Sequence, residues 1–337
     1  MSFKTAITAF TILSLTACGP SAIQGVSKAA EVSSGPFGMM KADAVKVDTA
    51  SAFKNLDKVV VGSFTVGFAT YKTASSKGIK GGGTGARNTL VGIDGVTMQK
   101  ITDEAYKSFV CDLKGKGYSV VDRSDLLANA DFAGTKSYPN PYEDSSGGFF
   151  GEKSVTKYFA PSSFSDIKMF QGDIPGVTGG FAMANPVVGA AKYSSATGTK
   201  VLHVVYLLDF ANNSNTTGGV MRWTNNVKMA QGLTVVPNAS KIGVISDMGG
   251  MMSSNGSLAI GQPITSGKEF ASIKDDTTDL HNGAEAVGNV ISVLGGFGDS
   301  SSSDYTFTAR PNDYRAAAMD AFHQANNALV DKMAGLK

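Results

Sequence analysis

The run Val201-Leu-His-Val-Val-Tyr-Leu-Leu208 places apolar side chains on both faces of the strand it forms. A half-exposed strand alternates apolar with polar residues. A strand without alternation must be covered on both sides. The chain is therefore constrained to build a sheet with material packed above and below it. A second segment, Lys58-Val-Val-Val-Gly-Ser-Phe-Thr-Val-Gly-Phe68, starts in the same way and then alternates, with Phe64, Val66 and Phe68 on one side. Covering helices are legible too. Met98, Ile101, Ala105, Tyr106, Phe109 and Leu113 share one face at ~100° per residue, which predicts a helix over 98–114 with Phe109 in the core. Gly115 and Gly117 suit its C-cap. Tyr314, Ala318, Ala321, Ala325, Leu329 and Met333 predict a second helix over 313–332, with Asn312 as N-cap. The expected class is α/β (α+β), a mixed, largely antiparallel sheet packed by these two helices.

Between these landmarks, Tyr118–Val121 reads as a buried strand and Ser124 as the cap of a short helix ending at Leu127. Met221–Met229 alternates and is expected to return antiparallel to Val201–Leu208. Short strands are expected at 233–236, 242–245, 257–260 and 287–294. Of 337 residues, 40 are glycine, well above the ordinary share of about 7%. Two stretches are read as irregular insertions, 73–97 and 130–198. The second carries Phe149, Phe150, Tyr158, Phe159 and Phe164, aromatics that either make contacts or fold onto their own domain.

The N-terminus has its own grammar. Lys4 precedes an apolar run from Ala6 to Leu15, which is shorter than the ~20 residues that span a bilayer. Small residues follow, the order of a secretory signal peptide. Leu15-Thr16-Ala17-Cys18 resembles the lipobox of bacterial lipoproteins. The resemblance implies cleavage before Cys18 and acylation of that residue. The expected organisation is a signal peptide over 1–17, a lipidated tether over 18–50 and a single α/β domain over 51–337. Gly19, where inner-membrane lipoproteins often carry Asp, implies an outer-membrane anchor with the domain facing the periplasm. If Cys18 carries lipid, Cys111 is the remaining cysteine and no internal disulfide forms. Cys111 is expected as a small helix residue packed under a neighbouring segment.

A further resemblance lies in the domain. Strand, amphipathic helix, then Val120-Val-Asp-Arg-Ser-Asp-Leu-Leu127 is similar to the periplasmic domain of the curli-secretion lipoproteins (the CsgG family) and to lipoproteins that activate cell-wall synthases. It covers roughly 58–127 in pattern and 200–337 in layout. The Glu that follows Leu-Leu in that group is replaced by Ala128-Asn129-Ala130. The resemblance implies an assembly or secretion component of the cell envelope. Arg123, which ends its motif, is expected to pair locally with Asp122, Asp125 or a helix C-terminus.

Several chemistries are disfavoured by the residues. Formal net charge is +2 with no basic block, so nucleic acid is not an expected partner. Gly81-Gly-Gly-Thr-Gly85 lacks the Lys-Ser/Thr of a phosphate loop. His203, His281 and His323 are not spaced as metal ligands. Asp173, Asp209, Asp247, Asp275 and Asp276 form no recognised catalytic motif. No catalytic, cofactor-binding or metal residues are therefore assigned, no cofactor is expected, and Cys18 is the single expected site. The expected role is a non-catalytic assembly, secretion or scaffolding component. Its partners would be the bilayer through Cys18, other envelope proteins and a possible second copy. The alternatives are a monomeric lipoprotein that regulates a cell-wall or polysaccharide enzyme and, behind it, an unfamiliar hydrolase.

Overall fold

The structure is a computed structural model that describes residues 21–34, 40–77, 83–145, 153–174, 186–216, 226–246, 255–277 and 300–337. The lipobox, His281, Asp247 and the expected strand at 287–294 lie outside the described residues. The strands are β1 (Ser21–Val26), β2 (Val45–Asp48), β3 (Lys58–Lys77), β4 (Gly83–Val91), β5 (Ser119–Val121), β6 (Tyr142–Asp144), β7 (Ser154–Phe159) and β8 (Lys200–Thr216). They continue with β9 (Asn226–Val235), β10 (Lys241–Ile245), β11 (Gly256–Ile260), β12 (Ile264–Thr265), β13 (Ala271–Asp275) and β14 (Ser300–Ala309). The helices are α1 (Gly95–Gly115), α2 (Arg123–Leu127), α3 (Ala130–Ala133), α4 (Pro186–Thr197) and α5 (Pro311–Ala334).

All of these strands belong to one mixed, mostly antiparallel sheet of 14 strands, whose main path runs β13-β14-β4-β3-β8-β10-β11-β2. The expected α+β class holds. β8 is central, parallel to β3 on one side and antiparallel to β10 on the other. Both its faces are covered. α1 and α5 lie over one of them. There Phe64, Phe109, Tyr206 and Phe322 stack in a chain of ring contacts at 5.4–5.8 Å that ties β3, α1, β8 and α5 together. Tyr206 donates its hydroxyl to Asn326 at 2.6 Å. Over the other face, Leu126, Phe132, Val187, Ala190 and Ala191 from α2, α3 and α4 bury Val60, Val201 and Ile245. Gly189 lets α4 reach the backbone of α3, since a Cβ there would stand 2.5 Å from Phe132 Cα.

Local chemistry sets the helix ends. Asp94 caps α1 by accepting from the Thr97 amide at 2.8 Å, and Gly117 follows the helix at φ +81°. Two expected caps are corrected. Asp122, not Ser124, caps α2, accepting from the Ser124 amide at 2.8 Å. α5 starts with Pro311 at its first position and has no side-chain cap, so Asn312 lies inside the helix.

Three longer readings also change. The described residues of the stretch 73–97 are not an irregular insertion but the end of β3, β4 and the start of α1. The strands separately expected around 229 and 233 are one strand, β9, and 221–225 lie outside the described residues. The stretch expected as a tether contributes β1, which lies parallel to β9, and β2, which edges β11. Gln262 holds the chain between them, donating to the carbonyls of Val32 and Ala42 at 2.8 Å each. Such backbone pairing leaves no trace in side-chain periodicity.

Candidate functional site: the outer end of two long hairpins

β3 is 20 residues long and β8 is 17, whereas strands usually run 3–10 residues. At ~3.3 Å per residue they extend about 65 and 55 Å. They pair with each other from Val59–Lys200 to Phe68–Leu208. Beyond that, β3 pairs with β4 from Tyr71 to Lys77, and β8 pairs with β9 from Leu208 to Thr216. Each outer half projects about 25–30 Å past the last shared pair.

The registers bring six strand ends to the same end of the molecule. β3 and β8 are parallel, so Lys77 and Thr216 point the same way. β4 and β9 return from there, starting at Gly83 and Asn226. β14 is parallel to β4 and starts at Ser300. β1 is parallel to β9, with Ser21 opposite Lys228. The helices occupy the other half. α1 begins after β4 has run back and leads into β5, whose Ser119 pairs with Lys58 at the inner end of β3.

The outer strands have one buried and one open face. Lys72, Ala74, Ala86, Asn88, Leu90, Tyr305 and Phe307 are buried. Phe307 meets Phe210 of β8 edge-on at 5.2 Å, so the β3–β4–β14 layer packs against β8. The residues between them, Tyr71, Thr73, Arg87, Thr89, Asp304, Thr306 and Thr308, are half-buried or exposed. Arg87 and Asp304 pair on this face, with Nη2 to Oδ2 at 2.8 Å. A membrane-spanning barrel strand presents an outward apolar band about 25 Å tall. This face is made of hydroxyls and charges.

The residues singled out in the sequence take other places. His203 is buried, stacked on Phe170 at 4.4 Å, and its Nδ1 lies 2.9 Å from Asp173 Oδ1. His323 is exposed on α5. Among the named carboxylates, Asp209 meets Lys72, while Asp276 meets Lys274 at 2.5 Å on the surface. Among the described residues no group of His, Cys, Asp and Glu is placed to hold a metal ion. Cys111 is exposed on α1, not packed under a neighbour. Its position lies about 160° from that of Phe109 around the helix wheel, when two steps of ~100° are subtracted from a full turn.

Arg123 does pair, but not with the expected local carboxylates. Its Nε donates to the Gly62 carbonyl at 3.1 Å, Nη2 reaches Asp166 at 3.4 Å, and the guanidinium lies 4.1 Å from the Phe164 ring centroid. Asp166 also accepts from Ser137 and lies 3.5 Å from buried Lys168. Lys168 donates to the carbonyls of Ala133 and Thr135 at 3.2 and 2.6 Å. This cluster clips residues 133–137 and 166–168 onto the domain through Arg123. The described aromatics of that stretch, Tyr158, Phe159 and Phe164, are core residues, while Phe149 and Phe150 lie outside the described residues.

The long outer strands went unread in the sequence because Thr70–Lys77 and Gly83–Asn88 are rich in Ser, Lys, Thr and Gly. The one available signal was alternation, with Tyr71, Thr73 and Ser75 against Lys72 and Ala74. Among the described residues no helix is long and apolar enough to cross a membrane. No family model, no curated protein and no solved structure matches the chain.

Proposed function

We propose that this chain is an envelope lipoprotein, held in the outer membrane by acylated Cys18, and that its domain serves as a non-catalytic assembly, secretion or scaffolding component. The observation that carries the reading is the register of β1. Ser21 stands beside the outer end of β9, and Cys18 precedes it by three residues, a reach of about 10 Å. A lipid on Cys18 would therefore hold the bilayer at the end where the two hairpins and β14 converge. The helical half would stand away from it, in the periplasm. The polar open face of the β3–β4–β14 layer favours work at the membrane surface over a lipid-facing barrel wall. The likeness of 58–127 to the curli-secretion lipoproteins supports the same role. Two acyl chains, at roughly 0.8 kcal/mol per buried CH₂, would make such anchoring stable.

Two measurements test the reading. Cys18→Ser should abolish palmitate labelling and release the protein from the outer-membrane fraction. A variant that still labels and co-sediments overturns the anchor. The orientation is read separately in proteoliposomes, with a donor fluorophore on Lys77→Cys or Lys114→Cys in a Cys111→Ser background. Energy transfer to a headgroup acceptor should be strong from position 77 and weak from position 114. Equal transfer from both overturns the placement of the hairpin end at the membrane.

A further inference from the structure

The two long strands separate at one place, and that place is held by a charge pair between buried Lys72 and half-buried Asp209. β3 leaves β8 after Phe68–Leu208 and takes up β4 at Tyr71. β8 passes through an irregularity between Asp209 and Ala211 and continues with β9. Lys72 stands at this fork on one side and Asp209 on the other. Lys72 is 4% exposed, and its Nζ donates to Asp209 Oδ2 at 2.5 Å and to the Ala211 carbonyl. The Phe210 ring centroid lies 6.0 Å away. This ion pair joins the β3–β4–β14 layer to β8.

The same interior leaves other polar groups without partners. Asn88 faces Lys72 across the β3–β4 ladder, is fully buried, and has no hydrogen-bond partner for either its Oδ1 or its Nδ2. The buried Tyr314 hydroxyl also lacks one. An amide or hydroxyl shut away from water without a partner disfavours the closed state, and an opened fork would hydrate it. The closed fork therefore balances a charge pair, the Phe210–Phe307 contact and the bonds from the Phe270 and Ala271 amides to Gln231 of β9 against unmet hydrogen bonds.

We infer that Lys72–Asp209 is a latch between two arms, β3–β4–β14 and β8–β9, which part at the fork and admit water between their inner faces. The pair sets how often the arms part. The helical half, packed on both faces of the lower sheet, does not move with them. The inference stands apart from the lipid anchor, because it is read on the purified chain without a membrane.

Hydrogen exchange on the full chain in detergent tests it. Lys72→Met should speed exchange about a hundredfold in β4 and in β8 beyond Leu208. α1 and β3 from Val59 to Val66 should keep their protection. The exchanged pair Lys72→Asp with Asp209→Lys should restore much of the arm protection. Asn88→Leu removes the unmet amide while keeping the layer apolar, so it should slow arm exchange below that of the parent. It also keeps the test decisive if Lys72→Met does not fold. The latch is overturned by unchanged arm exchange in Lys72→Met, by equal acceleration through α1, or by arm exchange in Asn88→Leu that is unchanged or faster.

Discussion

The two halves of this molecule are held together by different physics. In the helical half, β8 is apolar on both faces and is covered on both, and the contacts are rings and aliphatic chains with exposures near zero. Burial of apolar area is non-directional and cumulative, so that half tolerates small shifts while losing much when a large side chain is removed. In the hairpin half, the interior between the layers holds Lys72, Asn88, Asn212, Gln231 and Thr234 as buried polar residues. Gln231 accepts from the amides of Phe270 and Ala271 at 2.9 Å each, and Asn212 accepts from the Thr234 hydroxyl at 3.1 Å. Directional bonds of this kind specify one arrangement and fail individually when a partner is lost. The first half acts as a rigid base, and the second as a pair of arms whose relation depends on a few bonds.

The largest effect is expected where the contrast is sharpest. Phe109 is fully buried between Phe64 and the rest of the α1 face. Phe109→Ala should destabilise the domain by about 3–5 kcal/mol. The loss should appear as a lower midpoint in a global melt, with the base and the arms unfolding together. A melt in which only the hairpin half loosens would reverse the assignment of base and arms.

A middle-sized effect lies in the polar cluster around Asp166 in the base. Burial pushes the Asp166 carboxyl up. The Ser137 hydroxyl and the charges of Lys168 and Arg123 outweigh that and hold it below the ordinary carboxylate range. A value lowered by folding means stabilisation that is complete above the unfolded value of about 3.9. That stabilisation is lost as pH falls through the lowered folded value. Asp166→Asn should cost about 1.5–3 kcal/mol at neutral pH, the range of a hydrogen bond to a charged group. It should also flatten the fall in melting temperature below about pH 4. If the parent and the variant share the same acid limb, the clip is not electrostatic.

The base was the legible half in the sequence for the same reason that it is the stable one. Apolar periodicity records burial, so Val59–Val61, Met98–Leu113, Val201–Leu208 and Tyr314–Met333 declared their elements with ends wrong by a few residues. The arms are built from Thr70–Lys77 and Gly83–Asn88, stretches rich in polar residues and glycine without an apolar face. Their strand state comes from backbone pairing of β3 with β4 and of β4 with β14, which composition does not encode. The partners of Arg123 and His203 were equally hidden, since Asp166 and Asp173 come from a stretch without periodicity. Cys18 was the opposite case: its residues resemble a processing signal, which no part of the folded domain needs to display.

The smallest effect tests the outer surface of the base. Cys111 lies on the exposed side of α1, while Phe109, two residues away, is fully buried. Replacing a surface side chain away from any cap or pair is worth within about 0.5 kcal/mol. Cys111→Ser should therefore leave the melting midpoint nearly unchanged. The thiol of the parent should react with a maleimide while the protein is folded, at a rate close to that of the unfolded chain. If α1 instead carried a neighbour over that side, labelling would wait for unfolding. The helix would then be buried on two faces, and the base would have a fourth layer that no described residue supplies. Prompt labelling with an unmoved melt keeps α1 as the outer wall. It also qualifies the Cys111→Ser background as a neutral frame for the fluorophores at positions 77 and 114, where the contrast between arms and base is read directly.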